Sequence, residues 1–136
     1  MSEFACVSVY RKDTGEMNVV RRCYFTSLDE EPKQNMRQKL TFLANLGTHD
    51  NILPLEAFDI GSARCITVMP YLSGWMSLDT YIKTTSLGET EVTRVITQVM
   101  SGLQFLHRKQ AYHGNVCLQN ILFDPINLNA RLTDYG

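Results

Sequence analysis

The sequence predicts an α+β fold, with a strand-rich first half and a helix-rich second half. Three observations carry this expectation. From Ala5 to Tyr10 and again from Met17 to Phe25, β-branched and aromatic residues alternate with polar ones, the period-two pattern of half-buried strands. Between Glu89 and His107, the residues Val92, Val95, Ile96, Val99, Met100, Leu103 and Leu106 recur at helical spacing, which predicts one long amphipathic helix. Between the two regions, Pro70-Tyr71-Leu72-Ser73-Gly74 interrupts both periodicities, as a connector between two halves does.

The elements follow in order. Asp13-Thr14-Gly15 turns the first strand into the second, so the opening reads as a hairpin. Ser27 with Glu30 three residues on has the form of a capping box, and Pro32 sits where a first helical turn tolerates it. Met36, Leu40, Leu43 and either Leu46 or Gly47 then mark an amphipathic helix ending near Gly47. Lys33, Arg37 and Lys39 read as its solvated face. Two further strands are expected, Ile52 to Phe58 and Arg64 to Met69, turned by Asp59-Ile60-Gly61-Ser62. After the connector comes a short helix from Ser77 to Lys83, then the long helix, with Arg94, Thr97, Gln98 and Gln104 on its polar side. The last stretch, Tyr112 to Gly136, carries the strand Ile121-Leu122-Phe123, a turn, and a second short strand from Ala130 to Thr133.

A chain of 136 residues suffices for one domain with a real core, since single domains commonly run ~100 to 150 residues. With 44% hydrophobic and 20% charged residues and a formal net charge of −1, nothing in the composition points to nucleic acid or to a membrane surface. The start, MSEFACVSVYRK, lacks the pattern of a signal peptide, and no stretch approaches the ~18 apolar residues of a spanning helix. The expected setting is therefore cytoplasmic, with the nucleus left open. Cys6, Cys23, Cys65 and Cys117 stand far apart with no C-x-x-C pair, which suits reduced thiols better than a disulfide frame or zinc site.

The organising stretch is the last one. His113-Gly114-Asn115, then Asn120, a strand pair and Asp134-Tyr135-Gly136 resemble the catalytic loop H-R-D-L-x-x-x-N and the D-F-G of protein kinases. Other phrases fall in register. Thr14-Gly15-Glu16 resembles the turn before the kinase lysine strand. His49-Asp50-Asn51-Ile52 resembles the H-P-N-I phrase after helix C, and Val68-Met69-Pro70-Tyr71 the V-M-E-Y hinge. Gly102-Leu103-Gln104-Phe105-Leu106-His107 resembles the phrase before the catalytic loop. The resemblance covers nearly the whole chain. It implies an N-lobe-like part over residues 1–70, without the Gly-rich loop, and a partial C-lobe over residues 71–136. It also implies that the later C-lobe helices and activation segment are missing after Gly136, as in a truncated pseudokinase. The Arg21-Arg22 pair is closest to the STRAD pseudokinase adaptors. H-G-N also occurs in JAK pseudokinase domains and, with D-Y-G, in the kinase-homology regions of receptor guanylyl cyclases.

Kinase chemistry requires a lysine on the third strand, its glutamate partner on helix C, a catalytic Asp and metal ligands. Carried onto this chain, the lysine position falls on Arg21 and the glutamate position on Lys39 or Leu40. The catalytic Asp position falls on Asn115, and the lysine two residues later is Cys117. An arginine is not a compact ammonium, and a neutral amide cannot accept a hydroxyl proton as a carboxylate does. Cys117 reads as an inert thiol in the absence of an adjacent cation. His113 reads as a packing residue against Tyr135.

What the resemblance retains is the magnesium pair, Asn120 and Asp134, together with a nucleotide surface of Val19, Arg21, Met69, Pro70 and Leu72. At the hinge, the carbonyl of Pro70 and the amide and carbonyl of Leu72 would face an adenine. ATP and magnesium are the only cofactors implied. The resemblance therefore implies a kinase-like domain without catalysis, acting on a protein partner such as an active kinase. The second reading is an atypical active kinase or another ATP-dependent phosphotransferase.

Overall fold

The computed structural model describes residues 3–25 and 30–133. The chain falls into two compact units, one of Met1–Gly47 with Pro54–Tyr71, the other of Thr48–Leu53 with Leu72–Gly136.

The first unit is a four-stranded antiparallel sheet carrying one helix. Strands β1 (Glu3–Arg11) and β2 (Met17–Phe25) form the predicted hairpin, with Arg11 opposite Met17. Its turn is closed by the Lys12 N–H to the Glu16 carbonyl at 2.7 Å and the Gly15 N–H to the Lys12 carbonyl at 2.9 Å. Gly15 sits at φ +90°, a conformation that costs glycine nothing. Strands β3 (Ala57–Ile60) and β4 (Arg64–Pro70) complete the sheet in the order β1-β2-β4-β3.

Helix α1 (Glu30–Ala44) covers one face of this sheet. Its Met36 and Leu40 pack with Cys23, Phe58, Ile60 and Cys65, as the helical spacing predicted. The helix stops earlier than expected, at Ala44, although Leu43 and Leu46 are both buried. The capping residue Ser27 lies outside the described residues.

In the second unit, strands β5 (Met76–Ser77), β6 (Ile121–Asp124) and β7 (Asn129–Leu132) form a small antiparallel sheet in that order. Helix α2 (Leu78–Thr84) follows β5 directly, with Ser77 as its N-cap: the hydroxyl accepts the Thr80 N–H at 3.1 Å. Helix α3 (Glu89–Arg108) starts at Gly88, whose N–H reaches the Glu91 carboxylate at 3.1 Å. Among the described residues, Leu106, Phe123 and Leu132 are the largest fully buried side chains, and Val95, Phe105 and Ile121 of the same unit are buried too.

Two expectations are corrected. The strand predicted from Ile52 to Phe58 begins only at Ala57, because Ile52 and Leu53 belong elsewhere. Ile52 makes a parallel bridge to Leu132, the Leu53 N–H donates to the Leu132 carbonyl at 2.9 Å, and the Leu132 N–H donates to the Asn51 carbonyl at 2.8 Å. An apolar run fits either partner, and these residues add to β7 instead of β4. The second correction concerns α3. Gln98, expected on the solvated side, is half-buried and bonded at both ends of its amide. Conversely, Ile96 and Met100 of the apolar stripe remain 56% and 52% exposed.

Gly102 explains why α3 can lie against the Asn51-Ile52 segment. A Cβ at this position would stand 2.9 Å from the Asn51 carbonyl oxygen and 3.1 Å from Leu132 Cδ1. Among the described residues, no helix is long and apolar enough to cross a membrane.

Candidate functional site

The loop between α3 and β6 is held by its own side chains. His113 is buried, and its Nδ1 accepts the Asn115 N–H at 3.1 Å while Nε2 lies 2.7 Å from the Thr133 carbonyl oxygen. A ring nitrogen that accepts an N–H carries no proton, so Nε2 is the protonated one and donates to Thr133. Gly114, at φ +83°, lets the chain reverse between His113 and Asn115.

Asn120 closes the same loop. Its Nδ2 donates to the Asn115 carbonyl at 3.0 Å, its N–H donates to the Cys117 carbonyl at 3.0 Å, and its own carbonyl accepts the Thr133 N–H at 3.0 Å. Asn115, Cys117 and Asn120 are thereby gathered in one short loop over a 3-10 turn, Leu118–Asn120. The Asn115 side chain is exposed and Cys117 is half-buried with a free thiol.

Asn120 is buried, and its Oδ1 accepts no hydrogen bond among the described residues; an amide oxygen is a donor of the kind magnesium takes. Asp134, the other expected ligand, and Tyr135, the expected neighbour of His113, lie outside the described residues. Among the described residues no three His, Cys, Asp or Glu side chains gather as a metal site. Of the two expected magnesium ligands, only Asn120 lies among the described residues.

In the first unit, three of the residues expected to meet nucleotide share one sheet face. Val19 stands opposite Met69 and Arg21 opposite Thr67, continuing the row in which Cys23 stands opposite Cys65 under α1. Pro70 pairs with Asn18, one residue out of phase with that row. Asn18 is buried on the other face, where its Nδ2 donates to the Glu56 carboxylate and to the Met69 carbonyl at 3.2 Å. Lys39 of α1 is exposed, while Leu40 packs inward on the sheet. Neither side chain is a carboxylate.

Leu72 belongs to the second unit. Its carbonyl, expected toward an adenine, accepts the Trp75 N–H at 3.2 Å, closing a turn through Gly74 at φ +81°.

Sequence reasoning missed a polar cluster on the second unit. The Asn51 Nδ2 donates to Gln98 Oε1 at 3.0 Å and to the Ala130 carbonyl at 2.9 Å; Gln98 Oε1 also accepts the Ala130 N–H at 2.8 Å. Gln98 Nε2 donates to the Leu128 carbonyl at 2.9 Å. His49 Nδ1 accepts the Asn51 N–H at 3.0 Å, and its ring lies 5.0 Å from that of Phe105. Only the phrase His49-Asp50-Asn51-Ile52 signalled any of this, since a polar residue in a helix gives no sign of which strand it meets.

Comparison with known proteins agrees with this architecture. The protein kinase domain family model matches residues 3–136. The chain is similar to the mitogen-activated protein kinase kinase kinase YODA of Arabidopsis thaliana, with 25% identity over 93% of this chain and 14% of that one. It is also similar to the human serine/threonine-protein kinase ULK3, with 28% identity over 93% of this chain and 27% of that protein. The chain therefore spans less than a third of the length of these relatives. Among solved structures, a crystal structure of Rad53 in complex with AMP-PNP superimposes with a TM-score of 0.82 at 21% identity, over 98% of this chain and 35% of that one. A likeness at that identity speaks for the fold alone. With the family model matched along almost all of its length, the chain belongs to the protein kinase domain family.

Proposed function

We propose that this chain is a kinase-like domain that transfers no phosphate and acts by binding a protein partner, with an active kinase as one candidate. Residues 1–70 stand for the N-lobe of the family and residues 71–136 for the first part of its C-lobe. The observation that carries the reading is Asn115. It occupies the catalytic Asp position, with its backbone N–H and carbonyl bonded to His113 and Asn120, yet its own side chain is a neutral amide that cannot take a hydroxyl proton. Arg21, Lys39 or Leu40, and Cys117 at the other catalytic positions point the same way. Losses of this kind are not additive, but any one of them commonly removes several orders of magnitude of rate.

The partner-binding half of the reading is supported by α2 and α3. Leu78, Ile82, Val92, Ile96 and Met100 line an apolar groove of about 410 Å³, a surface of the sort that protein contacts cover. ATP with magnesium is the small ligand that this reading allows, with Val19, Arg21, Met69, Pro70, Leu72, Asn120 and Asp134 as the candidate residues. The setting proposed is cytoplasmic.

The second reading, an atypical kinase or other ATP-dependent phosphotransferase, is favoured by one observation, the Asn120 Oδ1, which has no hydrogen-bond partner among the described residues. A phosphate-transfer assay on a generic protein substrate separates the two. No transfer is expected from the chain, and none from Asn115→Asp, because the other positions stay degenerate. Turnover that appears in Asn115→Asp, or a metal-dependent turnover of the chain abolished by Asp134→Ala, would establish the second reading. A thermal melt with and without ATP and magnesium addresses nucleotide. Binding only to the folded form raises stability by about 2.7 kcal/mol at a hundredfold excess over Kd, and an unmoved melt would leave a module that binds protein alone.

A further inference from the structure

The second unit carries a cavity of about 620 Å³ that none of the kinase positions uses, lined among others by Asp50, Trp75, Arg94, Thr97, Asn129 and Arg131. Along β7, Ala130 and Leu132 are buried in the core while Asn129 and Arg131 alternate to the other side, so strand geometry delivers Arg131 to the cavity wall. Its guanidinium carbon sits 5.3 Å from the ring centroid of Trp75, a stacked arrangement that fixes the planar fork in place.

That fork is unused. The Arg131 Nε is sealed from solvent without a hydrogen-bond partner, and Arg131 makes no ion pair among the described residues. Nε is therefore out of reach of an incoming group, and an acceptor in the cavity would meet the two Nη groups of Arg131, which have no hydrogen-bond partner among the described residues. Gln98 does not supply one, since its Oε1 already accepts from Asn51 Nδ2 and the Ala130 N–H. Arg94 adds a second cation on the wall, with its Nη2 held by the Asn127 carbonyl at 3.0 Å and its remaining donors available. Two guanidinium groups face a single carboxylate, Asp50, so the cavity is positive on a chain whose net charge is −1.

We propose that this cavity binds an acidic segment of a protein partner, with one oxyanion of that segment, carboxylate or phosphoryl, seated on the Arg131 fork beside Trp75 and neutralised further by Arg94. Carboxylates and phosphates are the groups that accept a guanidinium through two parallel bonds. The cavity is far larger than one ion and falls within the size range of ligand pockets, which is why the anion is assigned to a peptide. Attribution to a protein partner rests on the protein-binding reading above; the chemistry of the pocket does not.

Trp75 is the only tryptophan in the chain, so its fluorescence reports this pocket directly. The full chain is titrated at fixed ionic strength with a hexaglutamate peptide, a phosphoserine peptide of equal length, hexaglutamine and inorganic phosphate. Saturable change with either acidic peptide and none with hexaglutamine is expected. Arg131→Gln should weaken binding by about tenfold or more, Arg131→Lys less, because charge without the fork retains part of the attraction. Arg94→Gln, on an exposed helix position, removes the second cation without touching β7 and should also weaken binding.

No saturable change with any probe, or unchanged affinity in Arg94→Gln and Arg131→Gln, overturns the proposal. Inorganic phosphate binding as tightly as the peptides overturns the peptide assignment and makes the ligand a small free anion. Phosphate transfer by Asn115→Asp would instead sink the non-catalytic reading and leave these titrations unchanged.

Discussion

The imidazole of His113 joins two backbone segments: Nε2 donates to the Thr133 carbonyl at 2.7 Å, and Nδ1 accepts the Asn115 N–H at 3.1 Å. Both ring nitrogens are thus spent on holding the loop against the end of β7. The sequence expectation set His113 to pack against Tyr135, which lies outside the described residues; the role seen here is that of a hydrogen-bonded clip.

The first prediction follows from that clip. His113→Phe keeps an aromatic ring in the buried site but leaves a carbonyl and an N–H without partners, each worth about 1–3 kcal/mol when buried. Urea unfolding should show a loss of about 2 kcal/mol or more. A variant as stable as the parent would mean that water or backbone movement replaces the clip.

Gly102 gives the second prediction, in which two effects oppose each other. In an exposed helix interior, Gly→Ala gains about 1 kcal/mol. Here the new Cβ meets the Asn51 carbonyl oxygen at 2.9 Å, and a backbone atom cannot rotate away as a side chain can. Overpacking of this kind costs about 1–3 kcal/mol, so the clash should win and Gly102→Ala should lower the melting temperature. A raised melting temperature would show that α3 shifts freely relative to the Asn51-Ile52 segment.

The third prediction concerns Gln98. Its Oε1 accepts from Asn51 Nδ2 and the Ala130 N–H, and its Nε2 donates to the Leu128 carbonyl. Gln98→Ala should cost about 2–3 kcal/mol, from lost bonds and from partners left unpaired. Because Asn51 also bonds the Ala130 carbonyl, Asn51→Ala and Gln98→Ala should combine for less than their sum, with a coupling of about 0.5 kcal/mol or more in a double-mutant cycle. Strict additivity would mean the two amides act independently.

These residues also mark how far the sequence could be read. The hairpin of β1 and β2 and the long helix α3 were legible because each is fixed by a local period, alternation in the one and helical spacing in the other; α2 was expected from Ser77, which serves instead as its N-cap. The loop of His113, Asn115 and Asn120 was legible through its resemblance to the kinase catalytic loop. What could not be read was partner choice. Ile52 and Leu53 look like any strand, and only the fold sends them to Leu132 instead of β4. Gln98 falls on the polar side of the helical wheel, yet that side meets β7. Trp75 and Arg131 lie in a turn and a strand far apart in the chain, and no periodicity links them.

The last prediction turns on Asp124, a buried carboxylate at the end of β6. Burial by itself raises its pKa. The Ile126 N–H, the Asn127 side-chain amide and the Asn127 backbone N–H more than offset this, so the group titrates below its ordinary value of 3.8. The two bonds from Ile126 and the Asn127 side chain measure 3.0 and 3.1 Å and shape the turn into β7. A depressed carboxylate pKa means that the folded form prefers the ionised group. Its contribution to stability is therefore complete above the unfolded pKa of about 3.9 and lost as pH falls through the lower folded value. Asp124→Asn removes this titration while keeping an oxygen acceptor. The stability gap between parent and variant, taken from urea unfolding, should be constant at neutral pH and should narrow below about pH 4. Other carboxylates titrate in the same range, but in the difference between the two proteins they cancel. A gap that stays constant down to pH 3, or widens, would mean that the turn around Asp124 is held equally well by the protonated acid.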